Sequence, residues 1–355
     1  MAYRAPKRPS ASVVIVARDA EATITRALES VLAQRFEDVQ AVVCVRPSRD
    51  RTASICTRMA ERDIRIDVVE VDLLDRGAAV DAALELVRGT HLVFMEATDW
   101  FGPQGLEQLV LAAREDDLAL AVPTFSFDER ARTGELASRV ARPVFGRCDS
   151  LAEFRAHAGS SIDQGTFCLL AGKLLLTDRV RSLGLSMAAA GGDAAFMAAY
   201  AEDVDHVGSV MASVFHTPAP APSRIGRGAY EECEREHELL LGLAGHWDMD
   251  GDPVLLQAIH GRHLRHVVSC IEGVCSQRKI SSIERADRVR DIIEAASTRE
   301  TVEALQGIES ASHGAGLLFA PIAKGNVIAC CVGARFSNFA HAARLPFVPR
   351  RSAAM

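Results

Sequence analysis

The chain has 355 residues, 48% hydrophobic and 25% charged, which is enough apolar material for a sizeable core and excludes global disorder. Its net charge of −7 argues against a general nucleic-acid binder, because attraction to phosphates needs a basic surface. Nine cysteines without a C-x-x-C pair argue against a cysteine zinc site. The opening "MAYRAPKRPS" lacks the apolar core of a secretory signal, and together with the odd cysteine count this points to reduced thiols in the cytoplasm.

In chain order, "SVVIVA" (Ser12 to Ala17) predicts a buried strand. Asp19 is expected to cap the helix that follows, in which Ile24, Leu28, Val31 and Leu32 share one face. "VQAVVCV" (Val39 to Val45), "IDVVEV" (Ile66 to Val71), "HLVFM" (from His91) and "LALAV" (Leu118 to Val122) read as further strands, with helices of about 50–62 and 77–87 between them. Pro103 is expected to open the next helix at its favoured first-turn position. This alternation calls for a mostly parallel sheet with helices on both faces. Neither G-x-x-x-x-G-K-[ST] nor G-x-G-x-x-G stands in the first turn, so the familiar nucleotide loops are excluded.

From about 126 to 220 the pattern is mixed, with "GGDAAF" (Gly191 to Phe196) and a strand-like "HVGSVMASVFH" (His206 to His216). "TPAPAPSRIGRG" (Thr217 to Gly228) reads as a linker, and "RLPFVPRRSAAM" as an extended tail. Between them helical periodicity prevails over Tyr230 to Leu243, Pro253 to Cys275 and Ile283 to Ala295. "GAGLLFAPIAKGNVIACCVGA" is broken by Pro321, Lys324 and Asn326, so it predicts docked structure and not a membrane span. "HGRHLRH" places His260, His263 and His266 on a helix at a spacing that drifts around it, which favours a polar helix face over a metal site.

Several stretches together resemble the family 2 glycosyltransferases of the GT-A fold. "SVVIVARDAEATITRALESVLAQ" is similar to that family's first strand and helix, and "VQAVVCVRPSRDRT" to its second strand and acidic loop. "RGAAVDAALELVRG" resembles its A-x-N-x-G…G helix, and "LVFMEATDW" its L-D-x-D-D strand end. The likeness is good over about 11–110 and weak over about 160–216. It implies a GT-A domain over 11–220, followed by a helical region over 228–345. The implied activity is transfer of a sugar from a nucleotide-sugar donor to a hydroxyl of a glycan or polymer acceptor, inverting, with Mg2+ or Mn2+.

On this resemblance the donor contacts fall on Ala17, Arg18, Asp19, Glu21, Arg46, Asp50 and Asp81, where Asp19 and Asp81 stand for family asparagines. Arg18 and Arg46 suit a diphosphate, and equally a plain surface. The metal would fall to Glu96 and Asp99, three apart at a strand end, joined by His216. Hard oxygen ligands suit such a cation; the other reading is an acidic turn leading into a helix, with His216 merely exposed. Asp193 is the expected general base, at a helix start where aspartate is also a preferred cap, and Asp203 is the runner-up. Three departures stand out: Val45 and Arg46 stand where the family usually has two aspartates, the first of which contacts the donor base, and Thr98 stands where it usually has a metal ligand. They support the rival reading of a catalytically silent GT-A-like module in glycan or polymer assembly. The helical region is the expected surface for self-association, acceptor binding or peripheral membrane contact.

Overall fold

A computed structural model describes residues 8–36, 38–72, 75–130, 136–219, 228–308 and 316–343. The expected basic start (1–7), most of the Pro-rich linker (220–227) and the tail beyond 343 lie outside the described residues. The chain forms two compact units, one of residues 1–157 and 168–219, the other of residues 158–167 and 220–355.

In the first unit the strands are β1 (Ala11–Ala17), β2 (Val39–Val45), β3 (Ile66–Glu70), β4 (His91–Glu96), β5 (Trp100–Phe101), β6 (Leu120–Arg130), β7 (Leu136–Ala141), β8 (Arg147–Cys148), β9 (Leu174–Leu176) and β10 (Val207–Pro218). Its helices are α1 (Ile24–Leu32), α2 (Thr52–Ala60), α3 (Arg76–Leu84), α4 (Gly105–Glu115), α5 (Leu151–Asp163, whose end counts with the second unit), α6 (Thr177–Ser182), α7 (Met187–Ala190) and α8 (Asp193–Ala201). The sheet runs β3-β2-β1-β4-β9-β6-β10-β5, with β7 on β6 and β8 on β10. β1, β2, β3 and β4 are parallel, as their unbroken apolar runs predict, and β1 and β2 are buried throughout.

The parallel core is narrower than the sequence implied. β9 enters antiparallel between β4 and β6, and β5 runs antiparallel to β10. Two boundaries also move. A short strand holds Trp100 and Phe101, so the next helix starts at Gly105, after Gln104 in a left-handed turn, and Pro103 precedes it. Asp19 does not cap α1: the helix starts at Ile24 after Thr23.

The chain steps from β1 to β2 to β3 in one direction, then returns past β1 to β4. Right-handed crossovers therefore put α1 and α2 on one face and α3 on the other. The reversal opens a crevice at the carboxyl ends of β1 and β4, where such sheets bind ligands. The opposite edge is closed by polar side chains. The Ser12 hydroxyl and Gln40 Oε1 accept the backbone N–H groups of Gly89 (2.8 Å) and Arg88 (2.9 Å). Gln40 in turn donates to Asp67 at 2.7 Å. A Cβ at Gly89 would lie 2.4 Å from the Ser12 nitrogen, so the backbones meet there with no room for a side chain.

The second unit is helical, with α9 (Ala229–His246), α10 (Pro253–Ser276), α11 (Ser282–Glu294), α12 (Ala296–Leu305), a 3-10 turn (Gly316–Leu318), α13 (Phe319–Ala323) and α14 (Val327–Ala343). Asp252 caps α10 by accepting from Val254 and Leu255, with Pro253 in the first turn. α10 packs against α9, α11, α12 and α14, so it is buried nearly all round. Leu318, Ile322, Cys330 and Ala334 of the interrupted apolar stretch join this core. No helix among the described residues is long and apolar enough to cross a membrane.

The polar-face reading of the histidines is corrected by this packing. His260, His263 and His266 are buried, and His237 of α9 joins them, its ring stacked 4.2 Å from that of His263. Among the described residues neither ring nitrogen of His237 meets a hydrogen-bond partner. Burial and the neighbouring histidines push His237 down to about 3, and burial pushes His263 down to about 4 and lowers His260. His266 is lowered well below its usual value by burial, with Arg262 beside it. The surrounding charges are Glu236 on α9, paired with Arg262, then Arg265 of α10, paired with Asp163, and Glu300 of α12.

The sign follows directly. These imidazoles stay neutral in the fold, whereas in the unfolded chain they take protons below about 6.5. Their neutral burial therefore costs nothing further above about pH 6.5, and stability is lost as the pH falls toward 4, by about 1.4 kcal/mol per pH unit for each affected ring. Hydrogen exchange within α10, corrected for intrinsic rate, is expected to rise steeply between pH 7 and 5. A His237→Phe variant is expected to blunt that rise, and equal pH dependence in the two would contradict it.

Candidate active site

The loops after β1 and β2 hold the donor-contact residues that the sequence singles out. Ala17, the last residue of β1, accepts the N–H of Arg46 at 2.9 Å, so Arg18 and Arg46 leave adjacent strand ends at the crevice. Asp19, with φ of 47°, accepts the N–H of Arg49 at 2.8 Å. Asp50 accepts the N–H of Glu21 at 2.9 Å and both the N–H and the hydroxyl of Thr52. Those bonds lower the Asp50 pKa, the Thr52 hydroxyl most of all. Glu21 accepts the Arg51 N–H at 3.1 Å. The acids of these two loops thus latch the loops to each other.

Asp81 is also committed to the scaffold. Its oxygens accept the Ser186 hydroxyl (2.7 Å) and the N–H groups of Met187 (2.7 Å) and Ala188 (3.0 Å), at the free N-terminus of α7. One turn earlier on α3, a Cβ on Gly77 would sit 2.7 Å from the Ala188 Cα, so only glycine lets the two helices approach this closely. α7 then ends in Gly191 (φ 81°) and Gly192 (φ 152°), conformations that glycine adopts without penalty. α8 starts at once with Asp193. Phe196 packs edge-on against Phe94 of β4 at 5.4 Å, which fixes the start of α8 beside the end of that strand.

Glu96 and Asp193 meet there across one side chain that the sequence analysis did not single out. Arg76, the first residue of α3, donates from Nε to Glu96 Oε1 (2.8 Å), and its Nη2 lies 2.6 Å from the same oxygen as an ion pair. It donates from Nη1 to Asp193 Oδ1 (2.8 Å) and from Nη2 to Asp193 Oδ2 (3.4 Å). Burial opposes the charge of Arg76, but Asp193 and Glu96 outweigh it and raise its pKa above the ordinary value. Burial raises Glu96, and Arg76 draws it part of the way back. The three side chains remain 33%, 42% and 34% exposed (Arg76, Glu96, Asp193), so the cluster is open to a ligand. One signal for Arg76 was in the sequence: a lone arginine directly after Asp75, which caps α3 through the Ala78 N–H.

Asp99 and His216 are placed differently from the expected metal set. The Asp99 side chain accepts the Glu96 N–H at 2.8 Å and hydrogen-bonds Thr217, in a site only 2% exposed. The acidic turn is real, and Asp99 closes it. The imidazole of His216 lies 2.9 Å from Asp128 through Nδ1 and stacks on Trp100 at 4.7 Å, while Arg26 covers Trp100 at 3.6 Å. A carboxylate behind Nδ1 is how imidazole ligands are commonly oriented, yet the acids that would complete a set are engaged elsewhere. Among the described residues no three histidine, cysteine, aspartate or glutamate side chains are grouped to hold a metal. The donor set does not fit a divalent cation: a guanidinium lies between Glu96 and Asp193, and Asp99 is turned inward. Asp203, the alternative base, follows α8, outside the Arg76 contacts.

Burial pushes the Asp99 carboxyl up to about 7, with Glu96 and Asp193 adding to it. In the unfolded chain the same group loses its proton near 3.9. Stability from the protonated form is then complete below about pH 4 and is lost as the pH rises to about 7. Asp99→Asn is expected to fold and to gain on the parent over that window, by at most a few kcal/mol. Melting curves at pH 4 to 7.5 measure this, and a difference that does not change with pH would contradict it.

Residues 12–158 match the model of glycosyl transferase family 2. The chain is 25% identical over 126 residues to EpsH of Bacillus subtilis (strain 168), whose glycosyltransferase designation is provisional; the match covers 35% of this chain and 37% of EpsH. The chain therefore spans little more than a third of that relative. Among solved structures it is similar to residues 1–349 of S. aureus TarS, with a TM-score of 0.58 at 14% identity, covering 93% of this chain and 91% of that one. It is also similar to the mannosyltransferase PcManGT of Pyrobaculum calidifontis, solved with GDP-Man and Mn2+, with a TM-score of 0.50 at 15% identity over 93% of this chain and 88% of that one. At such identities the likeness is one of fold. With the family match lying on the parallel strands and the crevice they open, residues 12–158 are similar to glycosyl transferase family 2, and the fold is the GT-A type.

Proposed function

We propose that the first unit transfers a sugar from a nucleotide-sugar donor to a hydroxyl of a glycan or polymer acceptor, with inversion, in polysaccharide assembly. The observation that carries this is the meeting of Asp193, at the start of α8, with Glu96, at the end of β4, beside the crevice. Complexes of TarS with UDP-GlcNAc and of PcManGT with GDP-Man support the donor class. Among the described residues no ligand set is assembled for Mg2+ or Mn2+, and the steps proposed here fall to this chain's own side chains.

In this reading Asp193 accepts the proton of the acceptor hydroxyl as its oxygen attacks the anomeric carbon. The bond from that carbon to the diphosphate oxygen breaks on the far face, and its electron pair leaves with the nucleoside diphosphate. A single displacement of this kind inverts the centre. Asp193→Asn keeps an oxygen for Arg76 but cannot take the proton, so turnover is expected to fall by roughly two orders of magnitude or more while donor binding persists. Full turnover in that variant, measured with donor and acceptor, would remove Asp193 from the mechanism.

A second reading, a silent module that binds glycan or partner, is favoured by the commitment of Asp19, Glu21, Asp50 and Asp81 to internal hydrogen bonds. Calorimetry with a panel of nucleoside diphosphates (UDP, GDP, CDP, ADP and dTDP) separates the two, since the transferase binds at least one of them and the silent module binds none.

The same proposal gives the second unit a role in self-association. Ile328, Val332, Phe336 and Phe339 are exposed along one face of α14, an apolar stripe on a helix whose other side joins the core. Val332→Glu combined with Phe339→Glu is expected to lower the mass measured by sedimentation and to leave nucleotide binding unchanged. Equal masses for variant and parent would end this assignment.

A further inference from the structure

We propose that Arg76 is the resident cation of this site, its guanidinium lying between Glu96 and Asp193 and meeting the donor diphosphate with its own charge. The ligand class rests on the transferase reading; the charge assignment stands on the geometry alone.

Two carboxylates from separate elements converge on one guanidinium at 2.6 and 2.8 Å. Convergence of this kind is what a bound cation imposes, and here the cation is a side chain. A hard divalent ion takes six or more oxygen ligands. Glu96 Oε1 and both carboxylate oxygens of Asp193 already accept from Arg76, and the third acid, Asp99, accepts from the Glu96 N–H inside the turn. An entering metal would also face the positive charge of Arg76 at contact distance.

The backbone holds Arg76 in this place. Asp75 caps α3 immediately before it, and Gly77 immediately after it is pressed against α7. The hydrogen bonds to Glu96 and Asp193 come from Nε, Nη1 and Nη2 and use three of the five N–H groups of a guanidinium. A planar guanidinium suits phosphate oxygens, and this one is partly exposed. Net charge fits as well. Two carboxylates and one arginine leave a site far less acidic than the same pair alone, so an anionic diphosphate can approach without a metal.

Removing the guanidinium should turn the site into a metal binder. Full-length parent, Arg76→Gln, Arg76→Ala, Arg76→Lys and the double variant Arg76→Gln with Glu96→Gln would be titrated with Mn2+ alone, following free Mn2+ by its electron spin resonance signal. The parent and Arg76→Lys are expected to bind no Mn2+ at this site. Arg76→Gln and Arg76→Ala are expected to gain one site, at least tenfold tighter than any binding by the parent, and the double variant to lose it. In parallel, UDP and GDP binding by the parent is expected to be unchanged by EDTA, and to fall tenfold or more in Arg76→Gln with EDTA present. A parent that binds one Mn2+ through Glu96, or a folded Arg76→Gln that gains none, would overturn the proposal. A parent that binds none of a panel of nucleoside diphosphates (UDP, GDP, CDP, ADP and dTDP) would overturn the donor class and the transferase reading together, while the Mn2+ titration still decides the charge assignment.

Discussion

The placement of every group at the crevice depends on the contact between α3 and α7. Gly77 lets the backbone of Ala188 approach within side-chain distance, and Asp81 closes the contact by taking the unsatisfied N–H groups at the start of α7. From that contact the chain has only two glycines in which to turn before α8 begins, so Asp193 is delivered to the end of β4. The same helix that grips α7 starts with Arg76. One rigid element therefore sets both the cation and the distance between the two carboxylates it joins.

The two edges of the parallel sheet solve different problems with similar residues. At the amino edge, Ser12, Gln40, Asp67 and Arg88 form a closed polar network that satisfies buried backbone groups and leaves nothing for a ligand. At the carboxyl edge, loops must pass over strand ends with unpaired N–H groups, and Asp19, Glu21 and Asp50 take several of them. Acids used in this way stiffen the rim of a site without entering its chemistry. Glu96 and Asp193 meet at the opening and share one partner, Arg76.

The strands from Ala11 to Glu96 were legible because a parallel strand covered on both faces must be apolar along its length, a pattern that survives without any tertiary information. The short β5 and β9 were not: two or three residues carry no periodicity, and their pairing is decided by neighbours far along the chain. Glu96 and Asp193 could be nominated from local patterns. Their meeting could not, because Arg76 and Asp193 are 117 positions apart and no local rule links them. Asp99 shows the same limit, as an acid at a strand end reads alike whether it points to the crevice or back to Thr217. The histidines of α10 failed for a related reason: their spacing implies a polar face only if the helix has one, and this helix is enclosed.

Gly89 lies on the edge of the sheet away from the crevice, where its Cα hydrogens fill the space against Ser12. Even alanine there would have to separate β1 from the turn that leads into β4, and these are the two strands whose ends form the crevice. The position is thus intolerant of change for reasons of volume alone, with no ligand beside it. Among descendants of this chain a fixed residue at 89 would record a steric limit and carry no information about what the crevice binds.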